Sequence, residues 1–195
     1  MDSPLGSAVG NSLEVIESVE ILKGKTSGNL WTVCRELSCR MLMLAGIGDK
    51  DECGRLVDEA VESGEALKRF EMMVKLQGGD VSYIEDTSKF RKASFSREVY
   101  APADGYITHM DSEKIGLTAV LLGAGREKKD DDINHAAGII IAAKTGDFVK
   151  RGELLATLLA DDESRLDGAE SRYLFAVSIG DKKPAEQPMI LDYID

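Results

Sequence analysis

Residues 115–138 read IGLTAVLLGAGREKKDDDINHAAG. An apolar run from Leu117 to Leu122 stops at Gly123-Ala124-Gly125, and a charged block follows in which Arg126, Lys128 and Lys129 precede Asp130, Asp131 and Asp132. The apolar segment 115–122 is long enough for a helix, and Ser112 is placed to cap it. Two readings of the glycine turn are open. Backbone N–H groups of a glycine turn beside three cations can converge on one oxyanion, because glycine admits positive φ. Alternatively the glycines end the helix and lead through a solvated charged loop to the next strand, with Arg126 held by nearby acids. The turn matches neither the P-loop nor the dinucleotide-binding pattern. The strand after it is the β-branched run Ile139 to Ala143, so helix, turn and buried strand give this half of the chain an α+β character.

The flanking segments extend that pattern. Residues 98–101 and 106–110 read as short strands around a Pro102 to Gly105 turn. Thr145-Gly146-Asp147 is a hairpin-type turn, and Arg151-Gly152 precedes a strand from Leu154 to Leu159. Residues 162–173 read as a helix, and 175–179 and 189–193 as closing strands. Upstream, apolar residues recur at helical spacing: Leu13, Ile16, Val19 and Leu22 up to Gly24; Leu30, Val33, Leu37, Met41 and Leu44 up to Gly46 after a Ser27-Gly28-Asn29 turn. Asp49 can cap a third helix that places Leu56, Val57, Ala60 and Val61 inward, and Leu67, Phe70 and Val74 define a fourth that stops at Gly78-Gly79. Between the two halves, residues 81–96 lose periodicity and carry the basic group Lys89, Arg91 and Lys92, which reads as a linker or mobile loop.

Composition narrows the function classes. A chain of 195 residues with 43% hydrophobic content can build an ordinary core. A formal net charge of -11 argues against sequence-independent binding to nucleic acid or anionic lipid. The longest apolar runs fall far short of the ~20 residues of a membrane helix, and the acidic N-terminus lacks a signal-peptide charge pattern, so a cytoplasmic protein is expected. Cys34, Cys39 and Cys53 have no C-x-x-C spacing and no histidine nearby, which argues against zinc. Cys34 and Cys53 fall on or near apolar faces and read as buried reduced thiols. Asp130 to Asp132 diverge in most backbone conformations and sit beside lysines, so a solvated turn is expected rather than a metal site. His109 and His135 have no nucleophile or carboxylate partner in sequence.

Two resemblances follow from longer motifs. Residues 103–107 together with 146–155, GDFVKRGELL, resemble the β-hammerhead of biotinyl and lipoyl carrier domains. The corresponding hairpin, 109–114, lacks the flanked lysine that carriers modify, so the shape is kept and the carrier function rejected. Residues 1–15, MDSPLGSAVGNSLEV, resemble a motif of the thymidine and pyrimidine-nucleoside phosphorylases. Ser63-Gly64 with Ala66, Leu67 and Phe70, then Gln77-Gly78-Gly79-Asp80, then Leu122 to Arg126 with Asp131 and Ile133, then Gly146-Asp147 and Gly152-Glu153, match the same family in the same order.

The resemblance implies an α+β fold. A helical segment of the family's α/β domain is expected over 1–80, a linker over 81–96, and an α/β-hammerhead, barrel-sandwich-like C-terminal domain over 97–195. It implies phosphorolysis of pyrimidine (deoxy)nucleosides, with pyrimidine nucleoside and phosphate as substrates and a homodimer as the family's assembly. Family members are longer and carry the base-binding residues and the phosphate loop upstream of what this chain shows. The chain is therefore expected to be a C-terminal part, inactive alone, with no catalytic or substrate-binding residue of its own. The alternative is a non-catalytic module that complements a separate N-terminal fragment. One site residue set is carried over by motif. A monovalent cation, potassium in type, would be held in the full-length enzyme by the backbone carbonyls of Leu5 and Ala8 and the carboxylate of Glu17, oxygen ligands that suit a hard cation. If helices 1–4 lack a sheet, an apolar face should be exposed on them.

Overall fold

A computed structural model of the chain describes residues 4–25, 28–126 and 128–194. Met1, Asp2 and Ser3 of the N-terminal motif and Ser27 of the expected turn lie outside them. The strands are β1 (Ala8–Val9), β2 (Phe95–Tyr100), β3 (Gly105–Met110), β4 (Gly138–Ile141), β5 (Phe148–Val149), β6 (Leu154–Ala160) and β7 (Val177–Gly180). The helices are α1 (Asn11–Leu22), α2 (Asn29–Leu44), α3 (Lys50–Glu62), α4 (Glu65–Leu76), α5 (Ser82–Glu85), α6 (Ser112–Leu122) and α7 (Ser164–Ala176). The chain divides into two compact units, Met1–Val15 with Phe90–Glu186, and Ile16–Lys89 with Gln187–Asp195.

The first unit is α+β. Its larger sheet has the order β1-β4-β6-β2 and its smaller one β5-β3-β7, with antiparallel pairing throughout. β6 is an inner strand, and Leu155, Ala156, Leu158 and Ala160 are buried along it. α6 buries Ile115, Thr118, Ala119 and Leu122, and α7 buries Leu166, Ala169, Tyr173 and Ala176, both at helical spacing. The stripes join the same core as the two sheets, where full burial of each Leu or Ile contributes about 1.5–3 kcal/mol. Burial also pushes the Tyr173 hydroxyl pKa up, and that hydroxyl has no hydrogen-bond partner among the described residues.

The stretch 115–138 folds as helix, turn and strand entry. Gly123 closes α6 in the left-handed region at φ 106°, donating its N–H to Val120 O at 2.9 Å. The helix is capped one residue earlier than expected: Asp111, not Ser112, accepts the Lys114 N–H at 3.1 Å. A carboxylate at that position satisfies an orphan amide and suits the positive end of the helix dipole. Residues 109–114 are therefore the end of β3 and the start of α6, and no hairpin tip of the carrier type forms there. The segment expected as a strand from 175 begins as the last turn of α7 and pairs only from Val177.

Residues 8–15 fold with the sheet rather than with the helices that follow, because β1 pairs with β4: Ala8 faces Ile140 and Val9 faces Ile139. The crossing is tight. A Cβ on Gly138, at φ 150°, would lie 2.3 Å from Val9 O, and one on Gly10 would lie 2.5 Å from Ala137 O. Only glycine allows the two backbones to meet this closely. Ser12 then locks the start of α1, donating both its N–H (3.0 Å) and its hydroxyl to His135 O.

The second unit is helical. Asp49 caps α3 as expected, accepting the Glu52 N–H at 2.9 Å. Arg35 on α2 makes a bidentate pair with Asp58 on α3, both contacts at 2.5 Å, and this holds the Asp58 carboxyl below its usual range. Half-exposed as it is, that pair contributes only about 0.2–1 kcal/mol. Cys53 is buried as expected, and burial raises its thiol pKa; Cys39 is also buried, whereas Cys34 lies on the exposed side of α2. The 81–96 segment is structured: it holds α5, a 3-10 turn at Thr87–Lys89 and the first residues of β2. Residues 189–193 form no strand. Tyr193 instead lies with its ring 3.8 Å from the Arg40 guanidinium carbon and 5.0 Å from Lys50 Nζ, a cation–π contact that accounts for this tail joining the helices.

Candidate functional site

The N-terminal loop ahead of β1 presents a row of carbonyls to one side chain. Lys144 Nζ donates to Pro4 O at 3.3 Å, Leu5 O at 3.0 Å and Gly6 O at 2.8 Å. Two local devices aim it. Ile141 N–H bonds Ser7 O at 2.7 Å, so the loop runs on beside the end of β4. Immediately after β4, Asp147 Oδ2 accepts the Lys144 N–H at 2.8 Å while Lys144 O accepts the Asp147 N–H at 3.0 Å, a turn made possible by Gly146 at φ 98°. The lysine backbone is thus fixed, and its half-buried stem leads the ammonium into the loop.

Of the three expected cation ligands, Leu5 is joined to Lys144 and Ala8 sits in β1 opposite Ile140. Glu17 lies on α1, in the part that belongs to the helical unit. On the same helix Glu14 Oε1 accepts the Gly10 N–H at 3.0 Å. Leu5 O is thus one of three carbonyls that accept from the Lys144 ammonium.

A second cluster lies in the same unit, around Asp161 at the end of β6. Its Oδ1 accepts the N–H and hydroxyl of Ser94 at 2.8 and 2.9 Å. Its Oδ2 accepts Arg91 Nη2 at 2.5 Å and Asn134 Nδ2 at 2.8 Å. These bonds, the Ser94 amide first, pull its pKa down from 3.8 to about 2. Asn134 in turn donates its N–H to Gly123 O at 2.9 Å. The glycine turn is thereby stitched to the sheet through Asn134, and the N–H groups of Gly123 and Ala124 are spent on Val120 O and Ala119 O at 2.9 Å rather than turned toward an anion. Arg165 Nη1 sits 3.3 Å from Leu121 O, a cation over the negative end of α6. Lys128 and Asp131 close a local turn, Lys128 N–H to Asp131 Oδ2 at 2.8 Å, and Asp130 and Lys129 are exposed, as a solvated loop requires. Arg126 makes no ion pair with a described residue.

His109 is exposed on β3, and it is the backbone carbonyl of His135 that accepts from the Ser12 hydroxyl. Among the described residues no group of three or more His, Cys, Asp or Glu converges as a metal site. The helical unit carries the third feature, an apolar groove of about 620 Å³ lined by Ile21, Leu30, Met41, Leu56, Val57 and Ala60 among others. In the apolar stripe of α2, Leu37 is 57%, Met41 63% and Leu44 89% exposed, so the bare apolar face expected on these helices is present. Lys144, Asp161 and Asn134 escaped the sequence reading because each acts on partners far away in the chain; only the Thr-Gly-Asp turn after Lys144 hinted at a fixed position.

Residues 106–180 match the family model of the pyrimidine nucleoside phosphorylase C-terminal domain. The pyrimidine-nucleoside phosphorylase of Bacillus subtilis (strain 168) is 40% identical over 165 residues, 84% of this chain and 38% of that protein. That of Geobacillus stearothermophilus is 36% identical over 174 residues, 89% of this chain and 40% of that protein. A Staphylococcus aureus (strain bovine RF122 / ET3-1) protein of the same name is 39% identical over 159 residues, 81% of this chain and 37% of its own length. The chain therefore spans about two fifths of the curated relatives it matches.

Proposed function

The chain carries the C-terminal domain of the pyrimidine nucleoside phosphorylases, and on that premise we propose that it serves as the C-terminal portion of an enzyme that cleaves pyrimidine nucleosides with phosphate. In that reaction a phosphate oxygen bonds to the anomeric carbon as the bond from that carbon to the base nitrogen breaks, giving base and (deoxy)ribose 1-phosphate. Its transition state, with oxocarbenium character, needs phosphate positioned and the charge on the departing base stabilised. The groups that do both, and the homodimer contacts, lie in this reading within the part of the relatives that the chain does not span, so the chain alone turns nothing over. No residue of this chain is given a catalytic role, and its place is the cytoplasm, where the three free cysteines stay reduced. Among the described residues no helix is long and apolar enough to cross a membrane.

The observation that supports this reading most is that identity to the B. subtilis protein runs over 84% of the chain, well beyond the 106–180 domain and into the helical unit. The test is base release from uridine and thymidine in the presence of phosphate. The chain alone should give none, and the chain mixed with the portion of the B. subtilis relative that it does not cover should give release; release by the chain alone overturns the reading. The apolar groove favours a second reading, a non-catalytic assembly module that seats a separately supplied polypeptide. It predicts a stable complex with that portion and no turnover.

A further inference from the structure

We propose that Ser94 is a phosphorylation site for a serine kinase that reads basic residues ahead of its target, and that a phosphoryl group there unties Asp161 from the glycine turn. The basic residues ahead of β2 supply the motif: Arg91-Lys92-Ala93-Ser94-Phe95 sets cations three and two residues before a serine and an apolar residue after it. A kinase with acidic side chains beside its cleft selects substrates by such a charge pattern. The segment is accessible. Residues 90–94 belong to neither helix nor strand, Lys92 and Ser94 are exposed, and the Arg91 side chain is 65% exposed. Phe95 is 39% exposed at the start of β2, the last strand of its sheet. One carboxylate holds both ends of the motif: Asp161 accepts the Ser94 N–H and hydroxyl on Oδ1 and Arg91 Nη2 on Oδ2. Opening those bonds lets residues 91–94 lie extended in a cleft without unfolding the unit. In the transfer, Ser94 Oγ bonds to the γ-phosphorus of Mg-ATP as the bond from that phosphorus to the β,γ-bridging oxygen breaks. ADP leaves, and the hydroxyl proton passes to the kinase's catalytic carboxylate. The product carries about two negative charges on an oxygen that stood 2.9 Å from Asp161 Oδ1. The two anions repel, and Arg91 is drawn from Asp161 to the phosphate. Arg91 Nη2 also donates to Asn134 Oδ1 at 2.8 Å, and Asn134 Nδ2 to Asp161, so Asn134 loses both partners together, and with them the tie from Gly123 O to the end of β6.

The test treats the full native chain with Mg-ATP and the catalytic subunit of cAMP-dependent protein kinase, an enzyme of this basic-reading class, and locates the phosphoryl group by peptide mass spectrometry. One group should enter the wild-type chain, at Ser94, and Ser94→Ala should take up none. Arg91→Gln should lower the kinase's kcat/KM for the chain on the order of ten- to a hundredfold. Asp161→Asn, which loosens the motif and leaves its cations in place, should raise it about 3–30-fold. The phosphorylated wild-type chain should unfold about 2–6 °C below the unmodified one, and phosphorylation should cost Asp161→Asn markedly less, because the repelling carboxylate is gone. No incorporation into the native wild-type chain overturns the proposal, even where a peptide of residues 88–97 or the urea-unfolded chain is phosphorylated, and so does incorporation only at other residues. These arms do not depend on the variants folding. An unchanged midpoint after phosphorylation, or an equal loss in Asp161→Asn, overturns the untying of Asp161.

Discussion

At the residue scale, the positions that hold the first unit together act through backbone contact and charge rather than bulk. Gly138 is the sharpest case. Its φ of 150° and the Val9 carbonyl only 2.3 Å from where a Cβ would stand leave no room for alanine. Gly138→Ala should lose about 2–4 kcal/mol in urea unfolding, with a matching loss for Gly10→Ala. Asp161 is the electrostatic counterpart. Its folded pKa of about 2 lies below the ordinary 3.8, so its stabilising contribution is complete above that ordinary value and is lost as pH falls toward 2. Asp161→Asn should cost about 1–2 kcal/mol near neutral pH, Arg91 being largely exposed, and the gap from wild type should narrow as urea midpoints are taken down to about pH 3. A gap independent of pH would place the effect in packing instead. These residues were the least legible in the sequence. Arg91 and Asp161 are 70 positions apart and Lys144 is 139 from Leu5, and no periodicity connects such pairs.

At the element scale, legibility was high wherever a glycine or a carboxylate punctuates a periodic run. Gly24, Gly46, Gly64, Gly78 and Gly123 all take positive φ at helix boundaries, and Asp49 caps α3. The misses have local causes. Ser112 and Asp111 are both good N-caps by type, and the choice depends on where β3 releases the chain. Asp111→Ala should therefore lower the unfolding midpoint by about 2–4 °C, whereas Ser112→Ala, which removes a buried hydroxyl without a partner among the described residues, should leave it unchanged or raise it. A loss at Ser112 and none at Asp111 would reverse the assignment. Residues 189–193 have strand-like composition, yet Tyr193 is drawn to Arg40 and Lys50, and cation–π attraction leaves no trace in an alternation pattern.

At the scale of the whole molecule, the two units are not successive in the chain, and nothing in the composition of residues 4–15 distinguishes a strand that joins a distant sheet from a loop that leads into a helix. The α+β character was legible from the glycine-punctuated runs, and the family from ordered motifs; the outward turn of Leu37, Met41 and Leu44 was expected only because that resemblance implied a larger domain. Such a face should drive self-association of the isolated chain. Sedimentation velocity should show oligomers that Met41→Glu disperses without lowering the unfolding midpoint, and a monodisperse wild-type monomer would contradict this. The central question is whether the chain is a catalytic enzyme by itself or one portion of one. The most direct measurement is a titration of the uncovered portion of the B. subtilis relative into a fixed amount of the chain, following base release from uridine and phosphate. A chain that is one portion of the enzyme gives no release at the origin and a rise that saturates at stoichiometric complex; release at the origin, with no added portion, would contradict it.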